Sequence, residues 1–318
     1  MDIEDLKPVK HFSPSKMSVS RLVSQFRGMG FNARKLALAV DICEEMIRDK
    51  DCVVFLGLAG AMVPAGLRKT VVEMIRNKWV DVLVTTGANL THDLVEAFGG
   101  CHYQGSPLVD DAALKEQGIN RIYDIFLPNK FFELLEEKFQ PILKELSGKR
   151  LSIKEFLKEV GGRIDDKDSI IRSCFDNDVD LYCPALSDSG VGLQVWFFLQ
   201  KNDDIIVDTF SDLKDIINTV WEAKRTGALL IGGGVPKNFI LQAAQATSKE
   251  HDYAVQISLD REETGGLSGA KLKEGISWGK IDQKAKYVDL ICDATIALPI
   301  IVSALKERIA DILPTLKD

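Results

Sequence analysis

The chain has 318 residues, with 40 Lys and Arg against 47 Asp and Glu, a formal charge of −7, and 46 % hydrophobic and 27 % charged residues. That length allows one large domain or two ordinary ones with ample material for a core, and the acidic balance argues against nucleic acid, whose phosphates need a basic stripe. No apolar run approaches the roughly 18 residues of a membrane span, and the opening MDIEDLKPVKHF lacks a signal-like apolar stretch, so a cytoplasmic protein with no membrane partner is expected.

Residues 1–30, with Pro8 and Pro14 and no clean period, read as an N-terminal arm; 31–318 read as a single domain. From Asn32, a candidate N-cap, Leu36, Val40, Cys43 and Ile47 recur on one helical face. A short apolar strand follows at 53–57 (VVFLG), then a Gly-rich loop and a helix opened by Pro64. The next strand is VDVLVTT (80–86), followed by a second Gly-containing loop and the helix THDLVEAF. After a long loop over 99–120, strands are expected at 123–127, 181–183, 204–208, 227–234, 253–257 and 288–293. Helices are expected at 129–146, 210–225, 236–247 and 295–312, the last closed by Pro314. The charged stretch 145–170 reads as a solvated helical insertion. Strands apolar on both faces, alternating with helices, predict an α/β protein with three layers around a parallel sheet.

The six cysteines are scattered without a CxxC pair and share no ligand spacing with the four histidines, so neither a disulfide framework nor a metal site is expected. Cys101 and His102 are adjacent, but neighbouring side chains rarely aim at one target.

In an open parallel sheet, ligands lie beyond the carboxyl ends of the strands. Four loops there carry unusual residues: 57–66 (GLAGAMVPAG), 86–93 (TGANLTHD), 232–238 (GGGVPKN) and 293–295 (DAT). Glycines let backbone N–H groups approach phosphate oxygens, and the following helix N-terminus favours negative charge. Together these loops point to a dinucleotide, although none is the GxGxxG fingerprint. Asp188 and Asp293 could accept ribose hydroxyls or simply cap helices. The most distinctive segment is GGLSGAKLKEGISWGKID (265–282). A lysine beside an aromatic wall can lose solvation and become a nucleophile for imine chemistry. Trp278 could instead face a ligand cation, or Lys280 could be an ordinary surface lysine with Trp278 closing a helix end.

These residues resemble the deoxyhypusine synthase family over about 30–305. The anchors are VFLG (54–57), VDVLVTT (80–86), GINRIYD (118–124), CPALSD (183–188), IGGGVPK (231–237), DYAVQI (252–257), EGISWGKI (274–281) and DATIALP (293–299). The resemblance implies a Rossmann-like, NAD-dependent enzyme that cleaves spermidine oxidatively. Such an enzyme holds the aminobutyl group as an imine on a lysine and passes it to a lysine of the hypusine-carrying translation factor. It further implies a homotetramer with active sites at subunit interfaces. Lys280 matches the imine-forming lysine, with Glu274 and Trp278 beside it. Thr86, Gly87, Asp188, Gly233, Asp293 and Ala294 match the NAD positions.

Several positions depart from the family pattern. Thr91 and His92 stand where paired glutamates are expected, and Leu193 or Gln194 where an acid is expected. Asn238 replaces a histidine and Leu267 an aspartate. The NAD half and the lysine are kept, whereas the polyamine side, where His92 and Asn238 fall, is altered. His92 becomes a candidate proton acceptor. The alternative reading is transfer to putrescine or another small amine, as in homospermidine synthase-like members. A different class would be a non-catalytic NAD or amine sensor.

Overall fold

The computed structural model describes residues 6–201 and 204–309. Six strands form the central sheet: β1 Cys52–Leu58, β2 Val82–Thr85, β3 Asp180–Tyr182, β4 Arg225–Ile231, β5 His251–Ile257 and β6 Ile281–Leu290. All neighbours run parallel, in the order β3-β2-β1-β4-β5-β6. The chain therefore builds outward from β1 to one edge, returns to lay β4 against β1, and continues to the other edge. Leu56 pairs with Leu83 on one side and Leu229 on the other, which fixes the register at the centre.

The α-helices of eight or more residues, in chain order, are α1 Val19–Phe26, α2 Phe31–Arg48, α3 Arg68–Arg76, α4 Gly87–Ala97, α5 Lys130–Glu145, α6 Ile153–Gly161, α7 Ile170–Asn177, α8 Gly190–Leu199, α9 Ser211–Glu222, α10 Gly234–Thr247 and α11 Ala294–Ile309. Successive strand residues point to opposite faces, and both faces are apolar. Leu56, Leu83, Leu229 and Val255 pack with α2 and α11, whereas Phe55, Val84, Ala228 and Leu230 pack with α9 and α10. Burial on both faces is why the inner strands read as continuous apolar runs. The result is the three-layer α/β architecture expected.

Four local expectations differ. Within the arm read as irregular, α1 forms: Ser18 caps it, the Glu307 carboxylate accepts from Val19 N and Ser20 N, and Val23 is fully buried. Asn32 is not an N-cap; α2 starts after Gly30, and the Asn32 amide donates to Ile291 O at 2.8 Å. The 145–170 stretch is not a solvated insertion, because α6 and α7 bury Phe156, Leu157, Val160, Ile170 and Ile171 while presenting their charges outward. The strands expected at 123–127 and 204–208 lie outside the main sheet. Ile125–Pro128 folds back antiparallel on Ile119–Ile122 across a two-residue turn, and Ile206–Asp208 pairs with Arg150–Ser152. A two-residue link can make only a hairpin, since a parallel neighbour needs a long crossover. The helix end expected near 312 and Pro314 lie outside the described residues.

Candidate functional site

The strand order reverses between β1 and β4, so the loops leaving these strands splay apart and open a crevice at their carboxyl ends. A cavity of about 440 Å³ fills it, within the range of small-molecule sites. Ala59 and Gly60 after β1 and Gly232–Gly234 after β4 form its floor, Ser258–Asp260 after β5 one wall, and Cys292–Ala294 after β6 another. Gly232 has φ +73°, a left-handed turn that lets the backbone double back into α10. A Cβ on Gly233 would stand 2.2 Å from Ser268 Cα, so only glycine permits this approach of loop to loop. No side chain caps α10; its first N–H groups remain free for an anion. An uncapped helix end over a glycine floor, with carboxylates at the rim, fits a dinucleotide cofactor.

Thr86, Gly233, Asp293 and Ala294 all line this cavity. Thr86 caps α4, and Gly87 is buried against Ser189 at its first turn. Asp293 lines the cavity, and its carboxylate accepts from Thr295 N and Thr295 Oγ1, each at 2.7 Å, at the start of α11. Asp188 is not among the lining residues. It is exposed, one residue before Ser189, which caps α8.

A second cavity, of about 140 Å³, is lined by Glu274, Trp278 and Lys280 together with Lys237, Leu241 and Leu267. The turn Lys273–Gly279 positions these groups: Lys280 N donates to Gly275 O at 2.9 Å, and Lys280 Nζ lies 5.4 Å from the Trp278 ring centroid. Trp278 is 57 % exposed, so its ring face is open at the mouth of this cavity. The residues 267–270 separate the two cavities, with Ser268 facing the first and Leu267 and Ala270 the second.

His92 and Asn238 line neither cavity. Asn238 donates to Gln242 Oε1 one turn along α10 at 3.0 Å. His92 Nδ1 lies 2.9 Å from His102 Nε2, and His102 Nδ1 lies 2.7 Å from Glu96 Oε1. Burial, then the neighbouring His102, pushes His92 down to about 4, so it is neutral at neutral pH. Thr91 is buried and its hydroxyl accepts from Val191 N, while Gln194 pairs with Gln140. Thr91 and Gln194 are thus absorbed into packing between helices, whereas Leu193, the other residue read at the second position, is exposed.

The residue that reading the sequence missed is Lys237. It is 2 % exposed, and burial pushes its ammonium down to about 8. The signal was present in GGGVPK: a lysine in the first turn after a glycine loop, followed by the apolar Phe239 and Ile240. Among the described residues no His, Cys, Asp and Glu side chains gather as a metal-ligand cluster, and no helix is long and apolar enough to cross a membrane.

Fold and cavity define a doubly wound α/β protein with a nucleotide-type crevice at its switch point. The profile of the family described as deoxyhypusine synthase matches residues 21–305. The Methanosarcina acetivorans protein called "Probable deoxyhypusine synthase 1" is 48 % identical over 294 residues, covering 92 % of each chain. The "Deoxyhypusine synthase-like protein" of Chlorobaculum tepidum is 37 % identical over 309 residues, covering 93 % of this chain and 88 % of the relative. A crystallised Entamoeba histolytica protein carrying the same family name superposes with a TM-score of 0.64 at 18 % identity, over 96 % of this chain and 95 % of that one. The chain belongs to the deoxyhypusine synthase family, a family of transferases.

Proposed function

We propose that this protein is an NAD-dependent, cytoplasmic aminobutyl transferase that takes the aminobutyl group from spermidine and delivers it to a lysine of the hypusine-carrying translation factor. One observation supports this most: an imine-capable lysine, an indole wall and a carboxylate share a small cavity one loop away from the switch-point crevice. The uncapped start of α10 would face the NAD pyrophosphate, with Thr86, Asp293 and Ala294 around the remainder and Gly87 and Asp188 at the next loop. When bound, the oxidised nicotinamide supplies a hydride acceptor for the donor amine and later returns the hydride to the product. Lys280 Nζ attacks the oxidised carbon of the donor, displaces diaminopropane and holds the aminobutyl group as an imine. The acceptor amine then replaces Lys280, which leaves as the free amine. Trp278 offers its face to the chain of the donor, and Glu274 a charge for its ammonium end. Homotetramer formation would cover Trp278, left half-open on a single chain.

The test is incubation with labelled spermidine, NAD and either the translation factor or putrescine. Label in the factor supports the reading. Label only in the small amine replaces it with a homospermidine-type transfer, consistent with Asn238 and Leu267 standing where a histidine and an acid are expected.

A further inference from the structure

We propose that Lys237 is a positioning residue: with Gln256 it clamps the 267–270 loop as the common wall of the two cavities, and so sets how Lys280 stands relative to the cofactor. The geometry is independent of the transfer reading; its consequence for turnover rests on that reading.

Lys237 Nζ donates to Leu267 O at 2.8 Å and to Ala270 O at 2.6 Å. Gln256, near the end of β5 and 3 % exposed, donates to Ser268 O at 3.1 Å. Three carbonyls within four residues are therefore held by two buried side chains from two different elements of the core. On its other side the same loop presses Ser268 against Gly233. The wall can neither advance nor retreat without breaking these bonds or meeting the backbone of the nucleotide loop.

A buried ammonium is expensive, and an apolar side chain would fill the space more cheaply. Among the described residues Lys237 has no carboxylate within ion-pair distance. The charged groups that act on it are Asp289 of β6 and Glu274, which favour its charge, and Lys280 and Lys271, which oppose it. Its return is two charge-assisted hydrogen bonds to a loop that has no secondary structure of its own. Because burial brings Lys237 down to about 8, the clamp weakens within an ordinary assay range. A neutral amine keeps two donors but loses the charge assistance.

The experiment uses the full chain with Lys237→Met, Lys237→Arg and Gln256→Leu. Hydrogen exchange of the 265–272 amides, measured without any ligand, should rise at least about tenfold in Lys237→Met while β1 and β4 stay protected. Unchanged exchange overturns the clamp. If Lys237→Met does not fold, Gln256→Leu, which removes one of the three bonds, should show a smaller rise in the same segment, and no rise overturns it equally. In the transfer assay Lys237→Met should lose about 100-fold in kcat with KM for spermidine nearly unchanged. A loss confined to KM would make Lys237 a substrate ligand and overturn the positioning role. The wild-type kcat should decline above about pH 8, and Lys237→Arg, charged throughout, should lose that limb; an unmoved limb contradicts the proposal. If the wild type yields no product from spermidine and NAD with any acceptor, the transfer reading fails, and exchange alone then decides the clamp.

Discussion

Gly233→Ala is the substitution whose outcome the structure specifies most closely. The new methyl would lie 2.2 Å from Ser268 Cα and 2.5 Å from Ser268 Cβ, where ordinary contact begins near 3.4 Å. Either α10 or the 267–270 wall must give by about 1 Å. Yielding by the wall takes the Leu267 and Ala270 carbonyls, now 2.8 and 2.6 Å from Lys237 Nζ, out of hydrogen-bond reach. Overpacking of this kind costs about 1–3 kcal/mol, which lowers Tm by a few degrees in a chain of this size. The displaced wall borders the crevice proposed to hold NAD, so on that reading NAD affinity should fall by about 5- to 150-fold. Gly234→Ala separates strain from collision: nothing lies within 4 Å of its Cβ position, and its φ of +59° costs only backbone strain, about 1 kcal/mol. Calorimetric titration with NAD and thermal unfolding should thus rank wild type, Gly234→Ala and Gly233→Ala in that order. Wild-type affinity and Tm in Gly233→Ala would refute the reasoning.

Arg68→Leu should destabilise the chain by about 3–5 kcal/mol in urea unfolding. It would leave the fully buried Asp93 carboxylate, now 2.6 Å from the guanidinium, to Ser169 and the first amides of α7 alone. A loss under about 1 kcal/mol would show the pair to be dispensable. Three buried groups contribute to the pH dependence of stability. His251, wholly buried, is pushed down to about 4, so its contribution is present above pH 6.5 and is lost as pH falls through 4. Burial pushes Asp212 up to about 6, and its contribution, of opposite sign, is present below pH 3.8 and lost as pH rises through 6. Each is worth about 3 kcal/mol and the two oppose one another, and His92, also near 4, adds to the His251 side. Unfolding free energy should fall between pH 6.5 and 4, and His92→Gln should flatten that slope; a slope unchanged by His92→Gln would discard its neutral burial. The same variant tests His92 as a proton acceptor, since undiminished turnover near pH 7 retires that role.

The central strands were legible because β1, β2 and β4 are apolar on both faces, and their order places the Gly-rich loops where the sequence expected a ligand. The Lys280 segment was legible too, because a Trp in a Gly-rich polar stretch is conspicuous. What stayed hidden depends on pairing over distance. Ile206–Asp208 read as a strand, but its partner Arg150–Ser152, more than fifty residues earlier, did not, so their pairing was hidden. Helix α8, GVGLQVWFFL, is apolar almost all round and shows no 3.6-residue period to read. The charges of α6 and α7 masked a buried face. His92 and His102 are ten residues apart, and only the turn after α4 brings their rings together. Lys237 was passed over because a lysine is read as surface by default; its burial is paid for by carbonyls thirty residues further on.

The most direct test of the proposed chemistry is borohydride reduction of the chain after addition of spermidine and NAD, followed by peptide mapping. An aminobutyl adduct confined to Lys280, requiring both compounds and lost in Lys280→Ala while NAD still binds, is the predicted result. Absence of an adduct on Lys280, or transfer retained by Lys280→Ala, would contradict it.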